Sequence, residues 1–229
     1  MRNGATTLNT LKVVGEVCEA PQFSHQTKDE RNMYQTVVKT KRLSDVYDFV
    51  PVTFSEEMLG EFKVGSRVRV KGSMRTFTYM DEEAGRNRVK VMAYAYSALE
   101  LDADSGEDDV CEVEIEGTVC KDVVVRQTPK GRCISDILVA VNTSKYRSDY
   151  IPVICWGKTA YESKELIVGD SIKVVGRFQS REYTKEVNGE TEVRMAYELS
   201  ARTVTNLGVN NCKVEDDGEF TDEVTEDNE

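Results

Sequence analysis

Residues 149–156 read Asp-Tyr-Ile-Pro-Val-Ile-Cys-Trp and carry two large aromatic side chains, Tyr150 and Trp156, on one short apolar run. Neighbours in a strand point to opposite faces, so Ile151, Val153 and Cys155 form one face and Tyr150, Pro152, Ile154 and Trp156 the other. A later stretch obeys the same rule. Ile172, Val174, Gly176 and Phe178 fall on one side, and Lys173, Arg177, Gln179, Arg181 and Tyr183 on the other. Flat rings give nucleobases a stacking surface worth about 1–3 kcal/mol each, while guanidinium and ammonium groups neutralise phosphates. Rings interleaved with cations on one sheet face therefore suit a single-stranded nucleic acid. The same rings could instead cover a subunit interface or shield a barrel.

Those stretches belong to a unit that occurs twice. Val13-Val14-Gly15-Glu16-Val17-Cys18 is echoed by Ile115-Glu116-Gly117-Thr118-Val119-Cys120, and Phe49-Val50-Pro51-Val52 by Tyr150-Ile151-Pro152-Val153. Val64-Gly65-Ser66-Arg67-Val68-Arg69-Val70-Lys71-Gly72 is echoed by Val168-Gly169-Asp170-Ser171-Ile172-Lys173-Val174-Val175-Gly176. The spacing stays between 101 and 104 residues. Solenoid repeats run about 20–50 residues, so this is a duplicated domain. In the first copy Phe49 matches Tyr150 and Tyr79 matches Tyr183, with Arg75, Phe77 and Tyr79 on one parity. Ser55 stands where Trp156 stands, and the neighbouring Phe54 joins Val50 and Val52 on the core side. The first copy is thus expected to bind with fewer stacking platforms.

The elements that position these residues are short runs of Val, Ile, Thr and Tyr broken by Gly, Pro, Asn and Asp, the pattern of a small all-β domain. In the second copy, strands are predicted near 112–125, 133–142, 149–156, 171–183 and 192–204. The turn Gln127–Gly131 joins the first two, Asn188-Gly189 makes a late hairpin tip, and a short helix near 157–165 follows the third. Five strands with that helix predict an OB-fold, a five-stranded Greek-key barrel whose face often binds oligonucleotides. The expected layout is an OB-fold over 8–101, an acidic linker over 102–109, a second OB-fold over 110–207 and a disordered acidic tail over 208–229.

The net charge of −11 is concentrated in two places. Residues 1–101 carry 15 Lys and Arg against 13 Asp and Glu, and residues 110–207 carry 14 against 14. The linker adds five acidic residues, and the tail nine against one lysine. Both lack the apolar content for a core, so each is expected to be solvated. No apolar run approaches the ~20 residues that cross a bilayer, and the N-terminus has no signal-peptide pattern, so a cytoplasmic, nucleoid-associated location is expected. Six cysteines without a CxxC or Cys/His cluster predict free thiols and no metal. Cys18 and Cys120 match in position and read as small buried side chains. His25, the single histidine, falls in an expected loop with no nucleophile motif nearby, and no GK[ST] phosphate loop occurs. Nothing asks for an enzyme or a cofactor.

The second copy resembles the bacterial and phage single-stranded DNA-binding proteins. The resemblance rests on Asp149–Ala160, with its aromatic pair and following Gly157-Lys158, and on Gly176-Arg177-Phe178-Gln179-Ser180-Arg181-Glu182-Tyr183. The Thr128-Pro129-Lys130-Gly131 turn and Leu138–Asn142 fit the earlier strands. It implies that Tyr150, Trp156 and Tyr183 stack bases and that Lys158, Arg177 and Arg181 meet phosphates. It also implies sequence-independent coating of single-stranded DNA in replication, recombination and repair. Because most members place one OB-fold per chain in a tetramer, a homodimer of this chain is expected. The family's acidic C-terminus recruits repair and replication proteins. This chain ends Thr225-Glu226-Asp227-Asn228-Glu229 rather than in Pro-Phe, and Asp216-Asp217-Gly218-Glu219-Phe220 is the nearest echo. Two other readings stay open: a duplicated interaction module resembling primosomal proteins, and an RNA-binding OB protein.

Overall fold

The computed structural model describes residues 7–81, 85–102, 105–128, 131–144, 147–187 and 190–209. The first half runs through β1 (Asn9–Val17), β2 (Gln22–Gln26), β3 (Asn32–Lys41), β4 (Tyr47–Ser55), β5 (Arg67–Asp81) and β6 (Arg86–Leu101), with a 3₁₀ segment at Glu56–Glu61. The second runs through β7 (Val110–Val119), β8 (Val124–Gln127), β9 (Cys133–Ser144), β10 (Arg147–Trp156), β11 (Asp170–Val187) and β12 (Glu190–Val209). Between β10 and β11 lie α1 (Lys158–Glu162) and a 3₁₀ turn at Ser163–Glu165, where a helix is predicted.

Each half closes in the same way. β1 pairs antiparallel with both β3 and β5, β3 with β4, and β4 runs parallel to β6. β7, β9, β10, β11 and β12 repeat these pairings one for one. The protein is two tandem OB-folds. The repeated glycines are the points of closest approach. A Cβ on Gly117 would lie 2.5 Å from the carbonyl oxygen of Ala140 on β9, and one on Gly176 closer still to that of Ser200 on β12. Gly15 and Gly72 are hemmed in likewise, so the motif recurs because both barrels close on it. Next to these glycines, Cys18 and Cys120 are half-buried, and their thiols donate to the carbonyls of Val37 (3.3 Å) and Leu138 (3.2 Å). Phe54 is fully buried and stacked on Phe62 at 4.0 Å, the core position its parity predicts.

Four expectations need correction. The strand predicted over 112–125 is two, because the chain leaves β9 at Cys120–Val123 and rejoins its other end as β8. His25 lies on edge strand β2 opposite Met33, not in a loop. The linker is not simply solvated. Glu107 bonds Arg69 and lies 3.3 Å from Lys12, while Asp109 pairs with Arg67 (2.7 Å) and accepts the Lys41 backbone N–H (2.6 Å). The Arg69 guanidinium holds the Glu107 carboxyl down to about 2. Finally, β12 continues to Val209, two residues into the stretch expected as tail. The Asn188-Gly189 tip, Pro129-Lys130 and the tail beyond 209 lie outside the described residues.

The two barrels share one 12-stranded sheet in the order β2-β3-β4-β6-β5-β1-β7-β11-β12-β10-β9-β8, which reads as the same arrangement from either end. Its centre is an antiparallel pairing of β1 with β7 about Leu11 and Val113, both buried. Duplicated strands thus meet as identical subunits do across a two-fold axis. The arms then cross over. Asp48 on β4 is fully buried and bonded by Arg42 and by the Ser180 backbone N–H on β11 (2.9 Å), while the Ser180 hydroxyl accepts from the Phe49 N–H (2.8 Å). Asp149 on β10, equally buried, is bonded by Arg75 Nε (2.5 Å) and the Thr76 hydroxyl (3.1 Å) on β5. Each half therefore holds a buried carboxylate that accepts hydrogen bonds from the other half's arm, although Asp48 takes its charge partner, Arg42, from its own half.

Gly117→Ala is expected to lower unfolding free energy by about 1–3 kcal/mol through overpacking, measured by urea denaturation. Gly60→Ala, where an added Cβ meets nothing within 4 Å, should be neutral. Arg75→Met leaves Asp149 buried with less charge compensation and should cost about 3–5 kcal/mol, with most of it recovered in Arg75→Met/Asp149→Leu. Equal stability of the single and wild-type proteins would contradict the crossed-arm account.

Candidate nucleic-acid interface

On the second half, β10 alternates as predicted. Ile151, Val153 and Cys155 are buried, while Tyr150 is 50% and Trp156 37% exposed. Ile154 shares the parity of the two rings but is buried. On β11, Arg181 is half-exposed, with Nε 4.0 Å from Glu198 and its guanidinium 6.0 Å from the Tyr183 ring centroid. Gln179 is buried instead of outward-facing, because it bonds Glu198 (3.2 Å) and accepts from Arg177 Nη2 (3.2 Å). Lys158 opens α1 and is widely exposed, with Nζ 3.4 Å from Glu162 one turn on.

On the first half, Phe77 and Tyr79 point outward from β5 and Phe49 from β4. The two arginines proposed nearest the rings sit at the junction of the halves. Arg75 is committed to Asp149, and Arg177 approaches Asp48 with Nε 3.8 Å from its carboxylate. Burial, then the neighbouring charge of Arg42, pulls the Arg177 guanidinium below its ordinary range. These partners lie on the opposite barrel, so no local sequence pattern announces them.

The arms β5–β6 and β11–β12 are 15 to 20 residues per strand, long enough to leave their own barrels. That reach merges the predicted residues into two composite clefts. A groove of about 740 Å³ joins Phe77, Tyr79, Lys90 and Met92 of the first half to Tyr183, Met195 and Tyr197 of the second. Lys90 is lowered from its usual range by burial there, and the Tyr197 hydroxyl is raised by the same cause. A second cleft of about 610 Å³ joins Phe49, Tyr47 and Arg42 to Trp156, Arg177 and Arg181. Tyr150, Arg75 and Lys158 line neither. Sequence reasoning missed Tyr47, which shares a parity with Phe49 and was legible. It also missed Tyr197 and Met92, whose relevance comes only from the arm crossing.

Among the described residues no three His, Cys, Asp or Glu side chains converge as a metal site, and no helix is long and apolar enough to cross a membrane. Burial lifts the Cys111 thiol to about 12 and the Cys155 thiol to about 11, so neither is a nucleophile at neutral pH.

Residues 110–207 match the profile of the single-strand binding protein family. A curated single-stranded DNA-binding protein of Deinococcus radiodurans is 28% identical over 152 residues, 58% of this chain. The match spans 50% of that relative, so the chain covers about half its length. The wild-type single-stranded DNA-binding protein of Thermus aquaticus superposes with a TM-score of 0.70 at 18% identity, covering 88% of this chain and 94% of that one. A deletion mutant of the same Thermus protein gives 0.69 at 18% identity, over 88% and 95%. At that identity the likeness shows the fold. The second half is thus similar in sequence to the single-strand binding protein family, and the chain as a whole shares the fold of the Thermus protein.

Proposed function

We propose that the protein binds single-stranded DNA with little sequence preference and coats it during replication, recombination and repair. The observation that carries this reading is the gathering of rings from both halves, the exposed Phe77 and Tyr79 with the half-buried Tyr183 in one groove and the exposed Phe49 and Trp156 in another, with lysine and arginine beside them. Bases stack on the rings without regard to identity, because every base has a π-face. Cations beside them replace condensed counterions, which makes the affinity salt-dependent. Tyr150 adds a further platform on β10, and Lys158 an exposed cation at the start of α1. Arg75 and Arg177 act in this scheme first as ties between the halves, and only Arg177 also faces a cleft. The family match over the second half and the names of the relatives support the ligand class. Four barrels would form the working assembly as a homodimer, which sedimentation of the full chain tests.

Trp156 is the chain's only tryptophan, so its emission reports on one place. Adding oligo-dT at low salt is expected to quench it strongly, and raising the salt to restore it. Unchanged emission in the folded protein would favour the protein-interaction reading. Tyr150→Ala and Tyr183→Ala should each weaken oligo-dT binding by about 1–3 kcal/mol, roughly fivefold or more, while leaving the fold intact. Unaltered affinity in both would remove these two rings from the interface.

A further inference from the structure

The duplication supplies a comparison inside the chain. His25-Gln26-Thr27 on the edge of the first barrel repeats Arg126-Gln127-Thr128 on the edge of the second. The pairing agrees, since His25 lies opposite Met33 on β3 and Arg126 opposite Ile134 on β9. At the same spacing Gln35 stands where the second copy has Asp136. The second copy therefore carries a permanent cation held by its own carboxylate, with Arg126 Nε and Nη2 2.8 and 3.2 Å from the two oxygens of Asp136. In the first copy both members have changed. His25, the chain's single histidine, is exposed and has no carboxylate partner among the described residues. Its Nδ1 lies 3.1 Å from the Ser24 hydroxyl.

Both changed residues line the 740 Å³ groove between the arms. The titratable groups that share it with His25 are Lys90 on β6, Tyr79 on β5, Tyr183 on β11 and Tyr197 on β12, and Gln35 on β3 adds no charge. Glu19, just before β2, is the carboxylate whose charge reaches Lys90 and Tyr197. Lys90 is half-buried, and burial disfavours its charged form. Histidine is the side chain that ordinarily changes charge between about pH 5 and 8. As an imidazolium, His25 is a second cation of this groove; as a neutral ring it is not.

Resting on the single-strand reading above, we infer that His25 is a titratable phosphate contact of this groove, so that the strand binds there with uptake of a proton. The phosphate takes the place that Asp136 has beside Arg126, and only the imidazolium pairs with it. Affinity is therefore full where the imidazole is charged and is lost as the pH rises through its titration. The first barrel thereby carries a pH-responsive contact. The matched contact of the second does not respond, because its cation is permanent and already paired.

The test is oligo-dT binding by the full chain, read from the anisotropy of a labelled oligonucleotide at about pH 5.5 and about pH 8. Neither thymine nor a phosphodiester titrates in that interval. Wild-type affinity should fall about two- to fivefold from the lower pH to the higher, the effect of one exposed charge pair. The slope of log affinity against log salt should lose about 0.7 over the same interval. His25→Gln should bind with the weaker affinity at both pH values. His25→Arg, which gives the first copy the residue type of the second, should bind with the tighter affinity at both. Position 25 is exposed, and circular dichroism checks that both variants are folded. Glu198, whose carboxyl is raised by burial, lies beside Arg181 in the second half and is common to all three proteins, so differences among them belong to position 25. An equal pH dependence in His25→Gln and wild type, or none in the wild type, would overturn the inference and leave the single-strand reading standing. Absence of wild-type binding at either pH would remove that reading, and this inference with it.

Discussion

The architecture depends on the antiparallel pairing of β1 with β7. It fuses two barrels into one sheet with a single core. The centre of that pairing, Leu11 opposite Val113, makes the two halves face each other as subunits of a symmetric dimer would. Once they are so fixed, the long arms have only one place to go, across the partner barrel. Asp48 and Asp149 then lock the crossing. A buried carboxylate tolerates only a fully bonded arrangement, so the arms are held in one register.

This geometry determines what the functional surface can be. With the arms crossed, rings from the first barrel stand beside cations and rings from the second. The chain is therefore better described as one packed body whose clefts are lined by both copies than as two domains on a string. The pinning of Glu107 and Asp109 onto Arg67, Arg69 and Lys12 fits the same description, because the connection between halves is part of the packed structure. It also withdraws those cations from any anionic ligand.

Much of this was legible in the residues. The duplicated glycine motif announced both barrels, since a Cβ cannot fit where strands close, and the parity of Tyr150, Trp156 and Phe54 sorted surface from core correctly. What could not be read was the pairing of groups far apart in sequence. Arg75 and Asp149 lie 74 residues apart, on different barrels, and Arg75 carries no sign of its destination. Arg75 therefore reads as a surface cation in the sequence and becomes a tie in the structure. The linker misled for a related reason: acidity predicts solvation only where no basic strand lies alongside.

The account's central claim is that one strand engages both barrels at the seam. Hydrogen–deuterium exchange of the full chain, with and without saturating oligo-dT, tests it most directly. Slowed exchange should appear together in β4 around Tyr47–Phe49 and in β10–β11 around Trp156 and Arg177–Tyr183, at the same oligonucleotide concentration. Protection confined to the second half, with β4 and β5 unchanged, would contradict a shared interface and leave the first barrel a scaffold.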